Sequence, residues 1–212
     1  MADRPAQGRS RARKIRALAA AGVVLGTGAT IVLAGWSESL FVAAGFGTAP
    51  FSVEGNVGNG WQHYPGPDSG AAELAFPIDI ESMRPGDAGY AGISLRTGPD
   101  SLPAVVTLEG AAGSGSLFQA LRYRVVQAST CNAAAFASGT FVIGNPSTSQ
   151  GLGTSSATAA IALDAGSTGS PGPSRDYCFE ISLPNVPANW TTSGISGAQL
   201  TVNWKFAAES TS

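Results

Sequence analysis

The sequence predicts an all-β sandwich of about nine short antiparallel strands, preceded by an N-terminal signal helix. Three observations carry this. Apolar and polar residues alternate with period two in several segments, and Gly, Pro, Asn and Asp cluster between those segments. The chain also begins with a basic stretch that runs into an apolar one, the pattern of an export signal.

In the leader, Arg4, Arg9, Arg11, Arg13, Lys14 and Arg16 form a basic region, and an apolar run follows from Ala17 to about Leu33. Val32 and Ala34 occupy the −3 and −1 positions of a small-residue cleavage site, so the cut is expected between Ala34 and Gly35. This makes residues 1–34 a signal peptide and residues 35–212 one secreted β-sandwich domain. The alternative is an uncleaved anchor, since the apolar run is about long enough to span a bilayer. The four glycines and two threonines between Ala17 and Gly35 make it a weak span.

The strands follow in order. "FSVEG" is the first candidate, and in "AELAFPIDI" Leu74, Phe76, Ile78 and Ile80 fall on one side. Pro77 cannot donate to a ladder, which places that strand at an edge or a bulge. "YAGISLRTG" and "AVVTLEG" come next, and in "LRYRVVQ" Leu121, Tyr123 and Val125 oppose Arg122 and Arg124. "GTFVIG" and "ATAAIALDA" precede "YCFEISL", which aligns Tyr177, Phe179, Ile181 and Leu183. In the closing "LTVNWKF", Leu200, Val202, Trp204 and Phe206 share one face. Only "CNAAAFAS", 131–138, reads as helical, a short excursion between strands. "GNPSTSQGLGTSS" and "GSTGSPGPSR" read as long exposed loops.

Composition narrows the function classes. Charged residues make up 12% of the chain, half the roughly 25% of an average domain, which suits an extracellular β-protein. From Gly35 onward there are six basic and thirteen acidic residues, a net charge of −7, so no nucleic-acid partner is expected. Cys131 and Cys178 in an exported chain are expected to form a disulfide. The loop between them is 47 positions long, and its closure stabilises by about 4 kcal/mol in the chain-entropy model. By alternation Cys178 lies opposite Phe179 and Ile181, so the bond would pin the excursion to the outer face of the sheet. Two buried free thiols are the alternative.

No catalytic pattern emerges. His63 is the single histidine and sits in the turn-rich "GWQHYPGP", where a surface loop position is expected. There is no G-x-S-x-G elbow and no HExxH, and one histidine cannot build the usual zinc sites. "GNVGNG" and "GAAGSGS" lack GK[ST] and read as turns. Asp79 with Glu81, and Asp176 with Glu180, share strand faces, where solvated carboxylates are the plain reading and paired acids or calcium ligands the sharper one. No catalytic residue, metal or cofactor is expected. Trp61 and Tyr64 in the His63 loop are the candidate ligand contacts, read as exposed.

"ATIVLAGWSES" resembles the leader and mature start of the TasA/camelysin-like exported proteins. In that family a small residue is followed by an aromatic, a hydroxyl or amide residue and an acid, places taken here by Trp36, Ser37 and Glu38. "MRPGDAGYAGISLRTG", "LRYRVV", "YCFEISLP" and "LTVNWKF" are similar in order to the actinobacterial branch known as alternate-signal-mediated exported proteins. "LFVAAGF" is more apolar than the stretch usual after the acid. The resemblance implies a jelly-roll-like sandwich, cleavage by a dedicated ER-type signal peptidase, and a secreted biofilm-matrix fibre subunit. The metalloprotease label that travels with camelysin lacks its zinc ligands here.

The expected function is a secreted structural or matrix protein of the bacterial cell envelope or biofilm, at the cell surface or outside it. Its expected partners are other copies of itself or matrix proteins, the signal peptidase during export, and no membrane after cleavage. The freed segment "GWSESLFVAAGF", with Trp36, Leu40 and Val42 on one parity, is the candidate assembly strand, donated to a neighbour's sheet. The alternative is a first strand folding back on its own domain. A secreted carbohydrate- or protein-binding module is the second function class, and a secreted hydrolase the third.

Overall fold

A computed structural model describes residues 37–38, 50–64, 74 and 83–211 of the chain. The chain divides into Met1–Gly35 and Trp36–Ser212. The signal helix, the Ala34–Gly35 cleavage site and the strand read in "AELAFPIDI", apart from Leu74, lie outside the described residues.

Among the described residues ten strands form two antiparallel sheets. The first, in the order β1-β10-β4-β8, joins Ser37–Glu38, Lys205–Ser210, Ala104–Glu109 and Ile161–Leu163. The second, in the order β2-β3-β9-β5-β6, joins Val53–Asn56, Ala88–Thr97, Arg175–Ser182, Arg122–Gln127 and Thr140–Ile143, with β7 (Gln150–Gly151) paired to β5. Apolar side chains of both sheets meet in one core: Leu95, Val106, Leu108, Val125, Ile161 and Phe179 are among its buried members. This is the expected all-β sandwich.

Alternation set the faces correctly. In β4 every second residue is buried, and Tyr123, Val125, Tyr177, Phe179, Ile181 and Leu183 all enter the core. An aromatic cluster lies at its centre, with Trp204 5.6 Å from both the Tyr123 and Phe179 rings and Phe206 6.2 Å from Phe179. Burial pushes the phenols of Tyr123 and Tyr177 up to about 12, against the smaller lowering influence of Trp204 on the first and Arg175 on the second.

Several elements differ from the sequence reading. The last strand begins only at Lys205. Leu200, Val202 and Trp204 keep the period-two alternation and pack on the core, but no ladder partner lies beside them among the described residues. "ATAAIALDA" yields only Ile161–Leu163, because the chain turns at Ala159 with φ 55°. Two further short helices join the expected excursion: α1, Ser116–Ala120, and α3, Pro187–Thr191, besides α2, Ala135–Ser138. α3 opens on proline, whose fixed φ suits a first helical turn. "GNVGNG" is a turn, with Asn56 Oδ1 accepting from the N–H groups of Gly58 and Gly60, both at positive φ.

The outer face of the larger sheet carries a second, smaller core. Cys178 is bonded to Cys131, with a Cα–Cα distance of 4.9 Å, and Val126, Phe136 and Cys178 are buried together. Phe136 belongs to α2, so the excursion covers β9 from outside as the alternation implied. By plain alternation Val125 of β5 faces the main core and Val126 the small one, and the register of β5 against β6 shifts between these two residues.

Two predictions follow from this packing. Replacing both cysteines in Cys131→Ala/Cys178→Ala lowers the stability measured by denaturant unfolding by about 3–4 kcal/mol, while native, unreduced protein gives no alkylated thiol. Tyr123 and Tyr177 are neutral when folded up to about pH 12 but ionise near pH 10 when unfolded. Over that window the unfolded state binds fewer protons, so stability is constant below about pH 10 and falls as pH rises toward 12. Absorbance titration of phenolate alongside circular dichroism shows these two tyrosines ionising only with unfolding.

Candidate functional site

Three regions bear on function: the loop at 60–64, the polar row across the larger sheet, and the edge of β10. In the first, the chain after β2 turns back so that Gly55 and Gln62 exchange backbone hydrogen bonds at 2.9 Å each. The loop therefore lies along the edge of β2 that has no other partner among the described residues. The Arg96 guanidinium lies 4.0 Å from the centroid of the Trp61 ring while holding Glu54 at 2.7 Å. The Tyr64 ring packs against Gly55, where an added Cβ would meet it at 3.2 Å, and its hydroxyl donates to Asn59 Oδ1 at 3.2 Å. His63 Nδ1 donates to the Val53 carbonyl at 3.2 Å, and its Nε2 is buried with no partner among the described residues.

Trp61 and Tyr64 are thus half-buried and engaged within the fold, not the exposed contacts read from the sequence. His63 is likewise a half-buried packing residue, not a surface one. The physical reason is the sheet edge. A turn-rich loop next to an unpaired strand lies down on it, and its aromatics are drawn over the neighbouring strand.

The second region corrects the reading of the strand carboxylates. Glu180 is buried, not solvated, and Arg124 grips it through Nε at 2.9 Å and Nη2 at 2.5 Å. Tyr90 and Arg124 are the register partners of Glu180 on either side, so the three lie in one row across β3, β9 and β5. Burial raises the Tyr90 phenol, with the Glu180 carboxylate adding to the rise and Arg124 opposing it. Arg124 also donates to the Pro146 carbonyl at 3.0 Å and lies 4.9 Å from the Phe136 ring centroid. Asp176 accepts from Ser94 Oγ at 2.5 Å. Four residues of strand separate the two acids by about 13 Å, too far for a glycosidase pair. Asp79 and Glu81 lie outside the described residues.

The described residues hold no group of three or more His, Cys, Asp or Glu able to bind a metal ion. An open groove of about 410 Å³ runs past Phe118, Arg122 and Gln150. Arg122 is the one titratable group lining it, and its Nη1 already donates to the Gln119 and Leu121 carbonyls.

The third region is the edge of the smaller sheet. The backbone of Ser37–Glu38 pairs antiparallel with β10, Ser37 opposite Glu209 and Glu38 opposite Ala208. On its other side β10 pairs with β4 over all six residues, Lys205 to Ser210. Trp36, Leu40 and Val42 lie outside the described residues.

One surface feature escaped the sequence reading. Trp190 is 60% exposed and Val186 44% exposed, the two exposed large hydrophobic residues of the described chain. In the tripeptide "NWT" that contains Trp190, Asn189 Nδ2 donates to the Pro184 carbonyl at 2.8 Å.

The buried pair gives a direct test. Arg124→Ala leaves Glu180 without its partner and costs about 3–5 kcal/mol in unfolding free energy, while the apolar double replacement Arg124→Met/Glu180→Leu costs far less. Denaturant titration of the three proteins separates an ion pair held in place by burial from a surface one.

Comparison with models of known protein families, with curated proteins and with solved structures finds no match for this chain.

Proposed function

We propose that this chain is a secreted structural subunit of the bacterial cell envelope or biofilm matrix, assembled by donation of its N-terminal strand. The observation that carries the reading is the edge of β10. The N-terminal pairing covers Ala208 and Glu209 alone of its six residues among those described. A donated strand that pairs along all six residues of β10 would add backbone bonds beyond these two described pairs. The same segment of a neighbour, carrying Trp36, Leu40 and Val42, supplies main-chain hydrogen bonds and apolar anchors together.

A head-to-tail contact of that kind does not close on itself and yields a filament. In this reading cleavage after Ala34 frees the donor only after export, which keeps assembly out of the cell. The jelly-roll arrangement and the ER-type signal peptidase belong to the same reading, through the resemblance to the TasA/camelysin-like proteins. The disulfide and the low charge content are in keeping with an extracellular setting.

Deleting residues 35–44 from the secreted form is expected to leave a folded, soluble monomer that no longer forms filaments. Negative-stain microscopy and sedimentation of both forms check this. Unfolding of the deletion variant, or a wild-type protein that stays monomeric at high concentration, overturns the reading and makes the segment an ordinary first strand.

A further inference from the structure

Trp190 is held in place rather than merely exposed. It lies in α3, and its Nε1–H donates to Asn185 Oδ1 at 2.9 Å. That bond fixes the plane of the indole in the free protein and uses its one polar atom. With that atom engaged, the exposed part of the residue is apolar ring surface. The loop beneath is itself braced, by Asn189 Nδ2 on the Pro184 carbonyl and by Thr191 Oγ1 on the Pro187 carbonyl at 3.2 Å. A fixed aromatic face loses little conformational entropy when a ligand covers it.

The surroundings select the ligand. From Pro184 to Trp204 the chain carries no charged residue. Thr191, Thr192 and Ser193 follow the indole and are exposed. Asn185 packs near Gly86, in the turn where Arg84 N–H donates to Asp87 Oδ2 at 2.8 Å, and Arg84 and Asp87 are both exposed. A cation would need aromatic walls on several sides, but no second large aromatic is exposed among the described residues. A protein partner would need a cluster of apolar anchors, and only Val186 accompanies the indole. A lipid surface calls for a cluster of basic residues beside the aromatic; the segment has none, and Arg84 in the neighbouring turn is a single cation accompanied by the acidic Asp87. A pyranose ring fits each condition: its C–H face lies on the indole, and its hydroxyls meet the surrounding hydroxyl groups.

We propose that Trp190 is the stacking platform of a binding site for neutral glycan chains, with Asn185 as the residue that positions it. The site is independent of strand pairing at β10. Its contact is made by one ring, so single-site affinity is weak, and many copies on one polymer supply retention through multivalency.

Native gels cast with neutral polysaccharides (hydroxyethylcellulose, laminarin, dextran and mannan) test it, beside a gel cast with an acidic polysaccharide and flotation with phosphatidylcholine/phosphatidylglycerol vesicles. The purified protein is expected to be retarded in at least one neutral gel. Trp190→Ala weakens that binding about tenfold or more, the loss of one stacking contact, and Trp190→Phe keeps part of it. Asn185→Ala, which frees the ring without removing it, has a smaller effect, and Trp61→Ala has none. The exposure of Trp190 makes the substitution harmless to the fold, which circular dichroism verifies. Retardation in no neutral gel, equal retardation of Trp190→Ala, or binding only to the acidic polymer or the vesicles overturns the proposal.

Discussion

The structure depends on β9 being buried on both faces. It is the central strand of the five-strand path in the larger sheet, with β3 on one side and β5 on the other. Tyr177, Phe179 and Ile181 point into the main core, and Cys178 and Glu180 point away from it yet are also buried. A central strand gains its full ladder of backbone hydrogen bonds from its neighbours, but a buried outer face needs a cover of its own. Here α2 supplies Phe136, the disulfide ties Cys131 to the strand, and Arg124 neutralises Glu180. Each element answers a demand made by β9. The carboxylate needs a cation because an unpaired buried charge is costly, and the guanidinium in turn is shared with the Phe136 ring and the Pro146 carbonyl.

The same accounting explains two other buried polar side chains. Thr97 and Ser101 are buried, and both are satisfied by backbone: Thr97 Oγ1 donates to the Asp164 carbonyl at 2.6 Å, and Ser101 Oγ accepts from Ser52 N–H at 3.0 Å. These bonds fasten the loops at the end of β3 to segments far away in sequence. The Tyr123 hydroxyl donates to the Thr154 carbonyl, anchoring the Ser/Thr/Gly-rich stretch to the core aromatics. That stretch also contains β7, in which Gln150 and Gly151 pair with Tyr123 and Arg122 of β5, although its composition is that of a loop.

Sheet edges are handled in different ways on the two sheets. The edge of β2 is covered by its own following loop, with Trp61 and Tyr64 folded down onto it. The edge of β10 meets only the short pairing at Ser37–Glu38 among the described residues. Aromatic residues that look equally available in the chain therefore have opposite fates. Those next to an edge in need of cover are consumed by the fold, while Trp190, on a braced helical turn beyond β9, remains outward.

Alternation along the chain was enough to establish the all-β class and the inward faces of "LRYRVVQ" and "YCFEISL", because side-chain direction in a strand is a local property of period two. It also placed Cys178 on the outer face and "CNAAAFAS" as the one excursion able to reach it. What alternation could not decide was whether an outer face is wet. Glu180 has the sequence context of a solvated carboxylate, and only the arrival of Arg124 from β5 and Phe136 from α2 buries it. Nor could it decide where the strand of "LTVNWKF" begins, since a ladder requires a partner, and among the described residues none lies beside Leu200 to Trp204. The same limit applies to Trp61 and Trp190, whose exposure depends on which distant backbone lies beneath them. The direction of a side chain is written in its neighbours along the chain; what it meets there is set by segments far from it in sequence, and that is settled only when the two sheets and their covering loops come together.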